Sequence, residues 1–153
     1  MRKPLLPLIT LLALLFSASA AQAQWSESKL QDLYQDYLKG RGIESRIDSD
    51  GDIQFDYEDS LYFIEVNEDD PEFFRVVMPN IWPIESEKER IQVIKACDIV
   101  NRNMKCTKAN TVSDDVWVSV ELFVGRPDSF KEVFDRCIAA IDSGIATFVE
   151  EMQ

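Results

Sequence analysis

The sequence predicts an α+β domain: an antiparallel sheet of five to six strands with three helices, in the order α-β-β-β-β-α-β-β-α. Three observations lead there. The stretch Asp52–Pro83, DIQFDYEDSLYFIEVNEDDPEFFRVVMPNIWP, reads as apolar strands of period two cut by two acidic turns. A second alternating run, Val116–Val124, follows a turn at Ser113-Asp114-Asp115. Three further segments carry apolar residues at helical spacing: one before the strand block, one after it and one at the C-terminus. A chain of 153 residues has room for one domain with a proper core.

The N-terminus reads as an export signal. Arg2 and Lys3 form a basic start, Leu5–Phe16 an apolar run too short to span a bilayer, and Ala21-Gln22-Ala23 a small-x-small cleavage pattern. The expected division is a cleaved signal peptide over 1–23 and one α+β domain over 24–153, starting at Gln24 in the periplasm. The whole chain carries a formal charge of −12, and loss of Arg2 and Lys3 takes it to −14. Such a charge excludes DNA, RNA and anionic membrane as partners, because each needs a positive face.

In chain order, Leu30, Leu33, Tyr34, Tyr37 and Leu38 line one face of a first helix, with Ser28 and Gln31 as a capping box and Gly40 as its left-handed stop. Asp48, Asp50 and Asp52 around Gly51 invite a calcium-loop reading. An EF-hand register would place Arg46 and Tyr57 at ligand positions, so that reading fails. A hairpin with the loop Ser49-Asp50-Gly51 instead pairs Ile47 with Ile53 and puts every apolar residue on one face.

Leu61–Asn67 and Phe73–Met78 are strands apolar on both faces, which is uncommon for a sheet open to water on one side. Pro79 and Pro83 are expected to end the block. Ser86 and Glu89 cap a middle helix with the stripe Val93, Ala96, Cys97, Val100 and Met104. Strands Lys105–Asn110 and Val116–Val124 follow. Ser129 and Glu132 are expected to cap the last helix, whose core stripe runs from Phe130 to Met152 and in which Gly144 marks a candidate kink.

The element order and several segments resemble the YbjN-like family, whose members are labelled bacterial sensory transduction regulators. The segments are Gly51–Phe55 through Tyr62-Phe63-Ile64, then Asp70-Pro71-Glu72-Phe73-Phe74-Arg75, then NRNMKCTK at Asn101–Lys108. The resemblance covers 26–152. It implies the type III secretion chaperone-like fold and a domain that acts by binding protein, often as a dimer. It brings no catalytic residues. This chain differs from the cytosolic chaperones in opening with an export signal.

Chemistry is sparse. Histidine is absent, which removes the commonest general base and metal ligand. There is no GxSxG, HExxH, CxxC or glycine-rich phosphate loop, and the acidic clusters sit in turns where carboxylates stay solvated. No catalytic, cofactor-binding or metal-binding residue is therefore predicted, and no cofactor. Of the three cysteines, Cys97 and Cys137 lie in helix stripes and are the favoured disulfide pair.

The functional expectation rests on the second sheet face. Leu61, Phe63, Phe73, Val77, Trp117 and Phe123 share it by alternation. The middle helix, a second copy of the chain, or a client protein must cover it. The leading reading is an exported, non-enzymatic protein-binding, adaptor or chaperone-like module, with another protein or itself as partner. The rival is a small-molecule sensor or hydrolase with a pocket between helix and sheet.

Overall fold

The computed structural model describes residues 25–153; the expected signal peptide lies outside the described residues. Helix α1 spans Glu27–Gly40, followed by β1 (Ser45–Ile47), β2 (Ile53–Tyr57), β3 (Ser60–Ile64) and β4 (Phe73–Pro83). Then come α2 (Glu87–Asn103), β5 (Thr107–Val112), β6 (Asp115–Phe123), a 3₁₀ helix (Pro127–Glu132) and α3 (Phe134–Met152). The six strands form one antiparallel sheet in the order β1-β2-β3-β4-β6-β5. Fold class and element order are those the sequence predicts.

Several local features follow from single residues. Gly51 takes φ +92° in the β1–β2 loop, Ile47 pairs with Ile53, and Asp48 Oδ1 accepts the amides of Asp50 and Asp52. This is the predicted hairpin, with Asp48 engaged as a turn residue. Ser86 accepts from the Glu89 amide at 3.2 Å as a capping residue should. The Glu89 carboxylate turns back to the Glu85 amide and to the Trp82 indole, both of which hold its pKa below the usual range, the indole most.

Other sequence expectations are corrected. Helix α1 begins after Ser26, and Gln31 donates to the Gly51 carbonyl at 2.9 Å, tying the helix to the hairpin turn. Its stop is Gly42 at φ +74°, where Ile43 N–H reaches Leu38 O and Gly42 N–H reaches Lys39 O, a Schellman pattern two residues later than Gly40. Pro79 does not end β4, which stops only at Pro83. Only Val76 and Val77 of β4 pair with β3, so beyond Met78 the strand needs a single ladder, and a bulge between Met78 and Trp82 carries it on to Pro83. Ser129 caps nothing: a 3₁₀ turn delivers Phe130 to the core and α3 begins only at Phe134.

All three helices pack on one side of the sheet. Leu30, Tyr34 and Leu38 of α1, Val93, Ala96, Cys97 and Val100 of α2, and Phe134, Cys137, Ile141 and Phe148 of α3 share one core cluster. From the sheet, Ile53, Phe55, Tyr62, Ile64, Phe74, Val76, Val116, Val118 and Val120 join them. Helix α3 is continuous through Gly144, and that glycine serves close approach to the sheet and α2. A Cβ there would lie 2.8 Å from Thr107 Cγ2 and 3.4 Å from Val118 Cγ1. Both neighbours are β-branched and buried, and cannot swing aside. Gly144→Ala is therefore expected to lose about 1–3 kcal/mol to overpacking, against a helix-propensity gain of only about 1 kcal/mol. Urea denaturation should show a lower midpoint with an unchanged slope.

Candidate functional site: the open face of the sheet

Helix α2 buries its stripe in the core shared with α1 and α3, so no helix of the described chain covers the opposite sheet face. None of Leu61, Phe63, Phe73, Val77, Trp117 and Phe123 belongs to the core cluster. Register places them in rows across the strands. Gln54, Phe63, Val77, Ser119 and Lys108 form one row. Within it Val77, flanked by Phe63 and Ser119, is only 3 % exposed. Leu61, Phe63, Phe73 and Trp117 are half-buried, while Phe123 is 76 % exposed.

The six do not make one continuous patch. Phe73 and Phe123 are cross-strand partners with ring centroids 5.5 Å apart at 58°. Four residues along β4, Val77 pairs with Phe63. Between these two apolar steps runs a charged row that the sequence reading missed. Arg75 Nη1 lies 2.8 Å from Glu65 Oε2, Arg75 Nε 3.2 Å from Glu121 Oε1, and Lys108 Nζ 2.9 Å from Glu121 Oε2. The Ser119 hydroxyl also donates to Glu121 at 3.0 Å. Arg75 Nε makes no hydrogen bond despite that short approach, which makes its contact with Glu121 an ion pair only. Burial pushes the Glu121 carboxyl up, but the Lys108 and Ser119 hydrogen bonds and the charges of Lys108 and Arg75 outweigh it, and its pKa ends below the ordinary value. Glu121 therefore stays ionised at pH 7, and the formal charges of the two carboxylates and the two cations cancel.

Trp117 is fixed at the far end of the face, its indole N–H donating to Asn80 Oδ1 at 3.0 Å, with Asn80 in the left-handed region at φ 54° within the β4 bulge. At the sheet edge, Asn101 of α2 accepts from the Ala109 amide at 2.8 Å and donates to the Ala109 carbonyl at 3.0 Å. Its carboxamide thus occupies the β5 backbone where another strand would pair. The edge is guarded; the face is not.

Elsewhere, the sequence-predicted features fall as follows. A groove of about 510 Å³ between α3 and strands β3 and β4 is lined by Met78, Ile145, Ala146 and Val149 together with Asp142 and Glu150. Asp142 there accepts from the Tyr62 hydroxyl at 3.2 Å; burial first, then the Asp142 charge, raises the Tyr62 pKa well above its ordinary value. Cys97 and Cys137 are both free, buried thiols, not the bridged pair expected. The physical reason is axial level. Gln92 reaches the Met152 carbonyl and Val100 faces Gly144, so α2 and α3 run antiparallel with Cys97 near the level of Thr147. Cys137 lies ten residues down α3 from there, roughly 15 Å at 1.5 Å per residue and well beyond bridging reach.

Asp52 illustrates a different electrostatic economy. Its carboxylate accepts the Val66 amide at 2.8 Å, yet its pKa is raised, first by burial and then by Asp48, Glu65 and Asp50 against that hydrogen bond. A raised carboxyl pKa means the folded state binds the proton more tightly, so this group's contribution falls as pH rises from the unfolded value, about 3.9, through the folded one. Asp52→Asn keeps the acceptor oxygen. Its melting temperature is expected to match or exceed that of the wild type at pH 7, with the difference vanishing below pH 4. A large loss at pH 7 would show that the carboxylate itself stabilises the turn.

The geometry defines a class: an α+β module with helices on one side of its sheet and a patterned, solvent-facing surface on the other. The chain belongs to the family described as T3SS (YopN, CesT) and YbjN peptide-binding chaperone 1, TY-Chap1, whose family model matches residues 28–150. That family supports a protein-binding adaptor role and the chaperone-like fold. Comparison with curated proteins gave no match. Among the described residues no helix is long and apolar enough to cross a membrane.

Proposed function

We propose that this chain is an exported, non-enzymatic chaperone-like adaptor that holds a polypeptide segment of another protein across its open sheet face. The observation that carries the reading is the row pattern: an aromatic step at Phe73–Phe123, a charged row at Glu65–Arg75–Glu121 neutralised by Lys108 reaching over from the next row, and an apolar step at Phe63–Val77. The two steps lie four residues apart along β4, about 13 Å at strand spacing. A client segment would present two apolar anchors at that distance with polar atoms between them. A second copy of the chain is the less favoured occupant, because the formal charge of −14 left after loss of Arg2 and Lys3 opposes self-association.

Panning a random peptide library against the folded chain tests this. Enriched peptides should share two apolar anchors separated by polar residues, and should not be uniformly acidic. Failure to enrich any peptide, with light scattering showing a monomer, would count against a binding face. Export is supported by the basic, apolar and small-residue regions of the first 23 residues.

A further inference from the structure

We infer that Cys106 and Cys137 form a thiol pair that closes into a disulfide when the chain meets a disulfide oxidant, leaving Cys97 reduced. The placement comes from the turn that joins α2 to β5. The antiparallel register of α2 against α3 brings the end of α2 level with Ala140 and Ile141, one turn from Cys137. Thr107 confirms the level: its hydroxyl donates to the Ala140 carbonyl at 3.4 Å, and its methyl faces Gly144. Cys106 immediately precedes Thr107, and its backbone is in the left-handed region at φ 61°, which breaks the strand alternation that would otherwise aim it with Lys108.

Electrostatics agrees with that placement. Burial first, then the charge of Cys106, raises the Cys137 thiol to about 11, with Arg136 offsetting part of the effect. Cys97 is also raised to about 11, by burial. Cys106 is exposed while Cys137 is buried, an arrangement in which one sulfur meets the oxidant and the other resolves it.

The step balances with glutathione disulfide as the oxidant. The Cys106 thiolate attacks one glutathione sulfur, breaking the S–S bond and releasing one glutathione thiolate. Cys137 then gives up its proton and attacks the Cys106 sulfur, forming the internal S–S bond and expelling the second glutathione thiolate. The two released thiolates take up the two protons; the cysteine pair loses two electrons and glutathione disulfide gains them. An exported chain would meet such oxidants.

The test uses the reduced full chain, glutathione disulfide, alkylation of remaining thiols under denaturing conditions, and peptide mapping without reduction. The expected product has lost two hydrogens, links the Cys106 and Cys137 peptides, and is alkylated at Cys97. Cys97→Ser should give the same link. Cys106→Ser, an exposed change that spares the core, should give no internal bridge. A bridge that includes Cys97, or a stable glutathione adduct on Cys106 with Cys137 free, would overturn the inference.

Discussion

Phe123→Asp is expected to weaken binding of a selected peptide by at least about 30-fold while leaving the fold intact. Phe123 is 76 % exposed, so the free chain loses little packing beyond its contact with Phe73. In a complex the new carboxylate would have to lose water against an apolar anchor with no cation to receive it, since Arg75 and Lys108 are already paired. Aromatic anchors at the centre of an interface commonly cost 2 kcal/mol or more when removed, roughly the 30-fold stated. Ile94→Asp supplies the control. Ile94 is a comparably exposed apolar residue, at 53 %, but it lies on α2, away from the open face. Fluorescence anisotropy with a labelled peptide should separate the two variants, and thermal melts should show both folded. Equal loss in both would mean that charge alone, not this face, governs binding.

The largest stability effect is expected at Phe130. Its side chain is fully buried, with ring centroids 4.9 Å from Tyr34, 4.9 Å from Tyr37 and 5.3 Å from Phe74. It therefore joins α1, the sheet and the approach to α3 at one point. Tyr34 is buried beside it, which pushes the phenol up to about 12 and keeps it neutral. Phe130→Ala should cost about 3–5 kcal/mol, because a cavity lined by rigid rings cannot collapse. That corresponds to a drop of roughly 10 °C or more in melting temperature for a domain of this size. A loss below about 1 kcal/mol would show that the 3₁₀ segment is a passive connector.

The sequence reveals the fold where one residue decides the local geometry. Gly51 fixes the hairpin register and Ser86 the start of α2. It misleads where tertiary demand overrides a local signal. Ser129 has capping chemistry, but Phe130 must reach the ring cluster, and a tighter 3₁₀ turn achieves this. Pro79 looks like a strand terminator, yet β4 has only one neighbour over that stretch and runs on to Pro83. The open face was half legible. Alternation says that Phe63, Phe73, Trp117 and Phe123 share a side, but not which residues meet across strands. Only the register reveals that Arg75 stands opposite Glu121 and divides the apolar surface in two. The cysteines fail for the same reason in helical form: a stripe gives a residue's face and not its level along the axis.

The most direct test of the open face as the binding surface is side-chain NMR of the folded chain titrated with a selected peptide. The Trp117 indole N–H and the Phe73, Phe123 and Phe63 ring signals should shift together and saturably, while Met78, Ile145 and Val149 in the α3 groove stay in place. Shifts confined to the groove, with Trp117 and Phe123 unmoved, would contradict the account.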